Sequence, residues 1–253
     1  MRRGAAVLAA AVVASAAVTG LLLAYLAAWL IASGGAMGLD VGLAARSLAL
    51  SVATASAATI AAVAAAVPAG YVFSRGLLPW GRALEVLLLL PFAMPPVAVG
   101  AMLLFALTGP LRPLDEALGI VFTVKGLVVA QYMVVYPMAV RVVKAGFDAV
   151  PPRYEAVARS LGCTWWCGFT RVALPMARRG LLAAAVLAFT RSLGEFGASA
   201  MLAGVKPDTA TLPIAIYLAF GSGDSATGVA LILVSAAAAA ASLAVLQRLE
   251  PRG

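Results

Sequence analysis

Along this 253-residue chain, long apolar stretches alternate with short connections that hold most of the basic side chains. A helix that crosses a membrane needs about 20 mainly apolar residues. Six stretches meet that requirement, near 5–32, 48–73, 86–107, 118–140, 181–202 and 227–246. No soluble domain, repeat or long linker interrupts them. The pattern predicts an all-α integral membrane protein with six transmembrane helices, forming one transmembrane domain over 1–253.

Composition strengthens that reading. Hydrophobic residues make up 64% of the chain and charged residues only 11%, against about 25% charged in an ordinary soluble domain. A soluble core of this length cannot hide so much apolar surface, so lipid must solvate much of it. The net charge of +8 could suggest nucleic acid, but the basic residues sit in short loops between apolar runs and follow membrane topology instead. With the N-terminus inside, thirteen Lys and Arg, Arg252 among them, fall on the inner side. Only Arg46, Arg112, Lys125 and Lys206 fall outside, and Arg191 lies within a span. This bias predicts a multi-pass protein of the plasma membrane with both termini cytoplasmic. Met1-Arg2-Arg3 and Ala14-Ser15-Ala16 imitate a secretory signal, yet the uncharged run continues to Gly38. A signal's apolar core spans about 7–15 residues, so a retained first helix is expected.

Several chemistries are excluded or disfavoured. Histidine is absent, which removes the commonest general base and metal ligand. The three lysines, Lys125, Lys144 and Lys206, all follow valine, so the phosphate loop ending in Gly-Lys-Ser/Thr is missing and the chain is not expected to hydrolyse ATP. Cys163 and Cys167 sit in a basic loop placed in the cytoplasm. A disulfide is not expected there, two thiols without histidine make a poor zinc site, and both read as small space-filling residues. Asp115, Glu116, Asp208 and Asp224 read as solvated outer-loop charge, and the methionines as packing residues.

The connection between the fourth and fifth spans has its own pattern. Val150-Pro151-Pro152 ends one helix and permits another to start. Residues 154–161 then form a short helix, with Glu155 and Arg159 spaced to pair at i, i+4. Gly162 suits a left-handed stop. Thr164 can cap a second short helix carrying Trp165, Trp166 and Phe169, and Pro175 starts span five. An exposed apolar tip on a basic loop suits a docking surface; it equally suits an amphipathic helix lying on lipid headgroups.

Two spans carry unusual residues. Span five contains Arg191, Gly194, Glu195 and Gly197. A charge at mid-membrane costs roughly 2.5–3.5 kcal/mol, and Arg191 and Glu195 are spaced to share a helix face and neutralise each other. They either line a wet path or tie helices together structurally, while the glycines allow close backbone approach. Span three holds Pro91, Pro95 and Pro96, whose lost hydrogen bonds predict either a bendable pore-lining helix or a static kink. Pro68 and Pro137 fall near inner span ends.

The run Glu155-Ala156-Val157-Ala158-Arg159-Ser160-Leu161-Gly162, followed after nine residues by Val172-Ala173-Leu174-Pro175, resembles the "EAA" loop of ABC-importer permeases. The family's motif glutamate aligns with Ala156, and Glu155 with the residue before it. Arg191-Ser192-Leu193-Gly194-Glu195-Phe196-Gly197-Ala198 and the Thr211-Leu212-Pro213 turn resemble the oxyanion branch, nearest its molybdate/tungstate members. The resemblance implies a type I ABC-importer permease fold with no cofactor. It also implies a second copy, an ABC ATPase homodimer docking beneath and an extracytoplasmic oxyanion-binding protein, with no nucleic acid. Glu155, Ala156, Ala158, Arg159, Leu161, Gly162, Trp165, Trp166, Leu174 and Pro175 would couple to the ATPase. Pro95, Pro96, Arg191, Gly194, Glu195 and Gly197 would line the path or gate. A stand-alone secondary transporter or channel is the rival reading.

Overall fold

The computed structural model describes residues 2–34 and 40–249; Arg252 and the end of the first apolar run at Gly38 lie outside them. The described residues are helical with no strand. In chain order they form α1 (Arg2–Ala32), α2 (Val41–Ser74), α3 (Gly81–Ala93), α4 (Pro96–Thr108), α5 (Arg112–Leu118) and α6 (Val124–Asp148). There follow α7 (Arg153–Ser160), α8 (Trp165–Cys167), α9 (Leu174–Leu193), α10 (Gly197–Ala203), α11 (Leu212–Gly221) and α12 (Ser225–Leu249).

Among the described residues, four helical stretches are long and apolar enough to cross a membrane: Val41–Ser74, Val124–Asp148, Trp165–Leu193 and Ser225–Val245. The pair α3 and α4 makes a fifth if counted together, and the apolar part of α1, Ala16–Ala32, is shorter. The six expected spans are therefore not all reproduced as single helices.

Span three differs most. In place of one kinked helix, α3 and α4 meet at a bend of 107°. The cause is local. A residue before proline avoids the helical region, and Met94 and Pro95, each followed by proline, take extended ψ values of 151° and 133°. Pro96 then opens α4, where its missing N–H costs nothing.

Span four is displaced toward the C-terminus, because 119–123 form a turn. Asp115 accepts the N–H groups of Ile120 and Val121, both at 2.8 Å, so it shapes this turn and is not merely solvated charge. Phe122 sits at φ 58°, with its N–H on Leu202 O and its carbonyl accepting Lys206 Nζ. Pro137, expected near a span end, lies inside α6.

The centre of the bundle is α2 against α6, with α9 packed on both. Glycines set the distance between them. A methyl added at Gly180 would sit 2.6 Å from Gly146 Cα, and one at Gly70 would sit 2.9 Å from Lys144 N. At the same end of the bundle Tyr71, Val143, Phe147, Val150, Ala173 and Ala177 form one buried cluster. α3 buries no residue, and Val86, Leu87 and Phe92 stay exposed along it.

Candidate functional site

The loop after α6 folds against the bundle. Arg75, the residue that ends α2, reaches Glu155 on α7: Nε and Nη2 donate to Oε1 at 2.9 and 2.7 Å. Its Nη1 and Nη2 also donate to the carbonyls of Phe147 and Val150. Tyr71 donates its hydroxyl to the other carboxylate oxygen of Glu155 at 2.6 Å. Glu155 is 4% exposed. One guanidinium thus joins the ends of α2, α6 and α7. The expected Glu155–Arg159 pair is not what forms, because the glutamate turns inward to a guanidinium and a phenol that desolvate with it.

With Glu155 inside, the other face of α7 is open. Ala156, Val157 and Arg159 are exposed, Ala158 is half-buried, and Leu161 is 83% exposed. Gly162 adopts φ +87°, as a glycine stop requires. Thr164 caps α8 by accepting the N–H of Cys167 at 3.3 Å. Trp165 packs edge-on against Tyr71 and stacks on Phe169, and Trp166 meets Trp165 edge-on while staying 64% exposed. The aromatics therefore anchor on the protein at one end and reach outward at the other.

Two expectations about this loop are corrected. Cys163 and Cys167 are joined by a disulfide, with Cα atoms 5.5 Å apart. The left-handed turn at Gly162 and the one-turn helix after it bring the two backbones within the reach of a bridge. The second short helix also does not stop before span five. From Gly168 to Ala173 the helix widens into a π turn, Leu174 N–H donates to Phe169 O, and α9 continues. A wider turn accommodates Pro175, whose ring would clash with the carbonyl four residues back in a regular helix. Half-buried Leu174 and exposed Pro175 thus lie inside one rod, Trp165–Leu193, about 43 Å long at 1.5 Å per residue.

At the far end of that rod α9 stops at Leu193, and Glu195 lies beyond it. Arg191 and Glu195 still pair, Nη1 to Oε2 at 2.6 Å. The other glutamate oxygen accepts the N–H of Ala198 at 3.0 Å, in the first turn of α10. Glu195 is 1% exposed, whereas the Arg191 side chain is 37% exposed. The glutamate spans a helix break and is fully occupied; the arginine keeps an open flank. Pro96 joins this group. A methyl at Gly197 would meet Val97 N at 3.0 Å and Pro96 Cβ at 3.3 Å, and one at Gly100 would meet Ala198 O at 2.6 Å. Exposed Pro95 precedes that contact. Gly194, expected to admit a neighbour, is exposed, with its own Arg191 carbonyl no nearer than 4.0 Å.

Sequence reasoning missed Arg75 and Tyr71, which nothing local marks as partners of a residue some 80 positions away. It also missed Gln131, Ser192 and Ser199, whose side-chain oxygens are buried without a hydrogen-bond partner among the described residues. On a further face, Arg82, Arg141 and Lys144 line a hollow of about 500 Å³ together with Glu85 and Asp148.

Comparison with known proteins gives a consistent picture. Residues 66–252 match the family model described as binding-protein-dependent transport system inner membrane component. The chain is 40% identical over 177 residues to a probable molybdenum ABC transporter permease protein of Haloferax volcanii, covering 68% of this chain and 64% of that protein's length. It is 34% identical over 190 residues to a molybdenum transport system permease protein of Escherichia coli strain K12, covering 70% of this chain and 82% of the relative. A sulfate transport system permease protein of a Synechocystis species is also 34% identical over 190 residues, covering 73% and 68%.

Proposed function

Since this chain belongs to the family of binding-protein-dependent transport system inner membrane components, a family of multi-pass membrane transport subunits, we propose that it is the permease of an ATP-driven importer of molybdate or tungstate. In this reading residues 1–253 form one permease domain of six passes in the plasma membrane, both termini cytoplasmic. Two copies form the pore. A separate ABC ATPase homodimer docks on α7 and α8, and an extracytoplasmic oxyanion-binding protein delivers the anion.

The observation that carries the reading is mechanical. α7, whose outer face is exposed, is locked to α2 and α6 through Arg75 and Glu155, and α8 runs without a break into the rod that ends at Leu193, with Arg191 in its last turn. Closure of the ATPase dimer moves Leu161 and Trp166. A stiff helix carries that movement to the break at 194–196, where Gly197 at the start of α10 bears on Pro96 and Val97 of α4. Glu195 holds the break together, and Arg191 offers its open flank to a passing dianion. One charge in the path attracts the anion without trapping it, so release stays fast.

Reconstitution with the cognate ATPase and binding protein tests this. Molybdate uptake into proteoliposomes is expected to require both partners and ATP; uptake by the permease alone, without nucleotide, would overturn the proposal and favour a stand-alone transporter. The likeness to the Synechocystis sulfate permease supports one alternative substrate. Calorimetric titration of the cognate binding protein with molybdate, tungstate and sulfate decides it, with preferential sulfate binding overturning the molybdate assignment.

A further inference from the structure

The coupling elbow contains a covalent link that its proposed role does not use. The Cys163–Cys167 bridge closes over Thr164, Trp165 and Trp166, the turn that presents the exposed aromatic tip. α8 is the first turn of the rod that runs on to Leu193, and the bridge ties that turn to Cys163, which precedes it. Besides the bridge, it is held by the Thr164 cap and by the contacts of Trp165 with Tyr71 and Phe169. Trp166 is exposed and meets Trp165 and Phe169 edge-on, and it lies within the stretch that the bridge closes. Both cysteines are half-buried, so each keeps some access to solvent. Disulfides in a cytosolic setting are usually transient and catalytic or redox-sensing.

We propose that Cys163 and Cys167 form a reversible thiol–disulfide modification site that sets how tightly the ATPase docks. The proposal rests on the docking role given to α7 and α8. The chemistry is exchange with a reagent that carries a disulfide, either a small-molecule disulfide or a protein whose dithiol is in its oxidised, disulfide form. The thiolate of one cysteine attacks the incoming disulfide, forms a mixed disulfide and expels one thiol. The second cysteine then attacks the first sulfur, closes the intramolecular bridge and expels the other thiol. Two electrons and two protons leave the pair, and the reagent becomes two thiols. A dithiol reductant runs the sequence backwards. The oxidised loop presents Trp165 and Trp166 in one arrangement; the reduced loop samples several and docks more weakly.

The test uses the full chain in lipid nanodiscs, titrated with the cognate ATPase subunit after treatment with either oxidised glutathione or dithiothreitol. The bridge state is read by mass spectrometry after alkylation. Oxidised permease is expected to bind with a Kd lower by about fivefold or more, the low end of ordinary coupling between sites. A Cys163→Ser/Cys167→Ser double variant is expected to give one Kd under both treatments. Equal affinity of the native chain in both states, or a bridge that dithiothreitol does not open in the absence of the ATPase, would overturn the switch and leave a fixed staple. Failure of the ATPase to bind in either state would instead remove the docking role itself, and the switch with it.

Discussion

Arg75 and Glu155 meet through two nitrogens on one carboxylate oxygen, while Tyr71 occupies the other. Both side chains are nearly buried, at 9% and 5% exposure. Removing one partner of such a pair strands the other charge and costs about 3–5 kcal/mol. Glu155→Gln is expected to lower the unfolding temperature of the purified permease and to separate ATP hydrolysis from uptake. An unchanged Tm would show that the pair does not hold the elbow.

Gly162 has a left-handed φ and no atom within 4 Å of where a Cβ would stand. Substitution there meets backbone strain and no steric clash. Gly162→Ala is expected to cost about 1–2 kcal/mol. Gly162→Pro also removes the N–H that donates to Arg159 O and reshapes the turn before α8. The ratio of anion imported to ATP hydrolysed is the readout. It should fall modestly for alanine and severely for proline; a native ratio in the proline variant would argue against docking through this turn.

In the proposed reading Arg191 and Glu195 have separable duties. Arg191→Leu leaves a buried glutamate with only the Ala198 N–H for company, so the level of assembled protein should drop. Adding Glu195→Gln removes the stranded charge and should restore assembly but not transport. If the double variant recovers transport as well, the pair is purely structural. Because the two residues touch, their effects are not expected to add.

Gly180 and Gly194 make a matched comparison. Alanine at 180 drives a methyl into the Gly146 backbone, an overpacking that typically costs about 1–3 kcal/mol. Alanine at 194 meets nothing closer than 4.0 Å and is expected to leave thermal stability almost unchanged. Equal Tm values for the two variants would contradict the α6–α9 crossing.

Asp224 accepts the N–H of Thr227 at the start of α12. Hydrogen bonding from the Thr227 side chain, then from the backbone of Thr227 and Ala226, holds its pKa below the usual carboxylate value. The folded pKa is the lower one, so the cap's stabilisation is present above the ordinary carboxylate range and is lost as pH falls through the folded value. Asp224→Asn should flatten the acid side of the stability–pH curve. An acid limb identical to that of the native chain would place the titrating group elsewhere.

The sequence makes the apolar helices, the helical elbow at 153–167 and the Arg191–Glu195 pair legible, because each depends on composition or on spacing within a few residues. What it leaves hidden depends on distance. Glu155 is spaced to pair with Arg159, yet burial beside Tyr71 and Arg75 decides the outcome. Pro91, Pro95 and Pro96 announce a disturbance, but the 107° turn follows from two successive residues that both precede proline. Lys144 and Asp148 lie beyond the expected end of span four at 140 and turn out helical, ion-paired to each other, with Lys144 also near Glu85. The cysteine bridge stays hidden because the compartment argues against it while the local turn permits it.

α3 carries no buried residue, so its apolar side chains stay open to lipid or to a second copy of this chain. In the proposed paired assembly each copy supplies half the lining, and an inert copy spoils the half beside it. Cells making native and inactive chains together should then lose uptake as the square of the native fraction rather than in simple proportion. An allele for an inert chain that still pairs would then act dominantly.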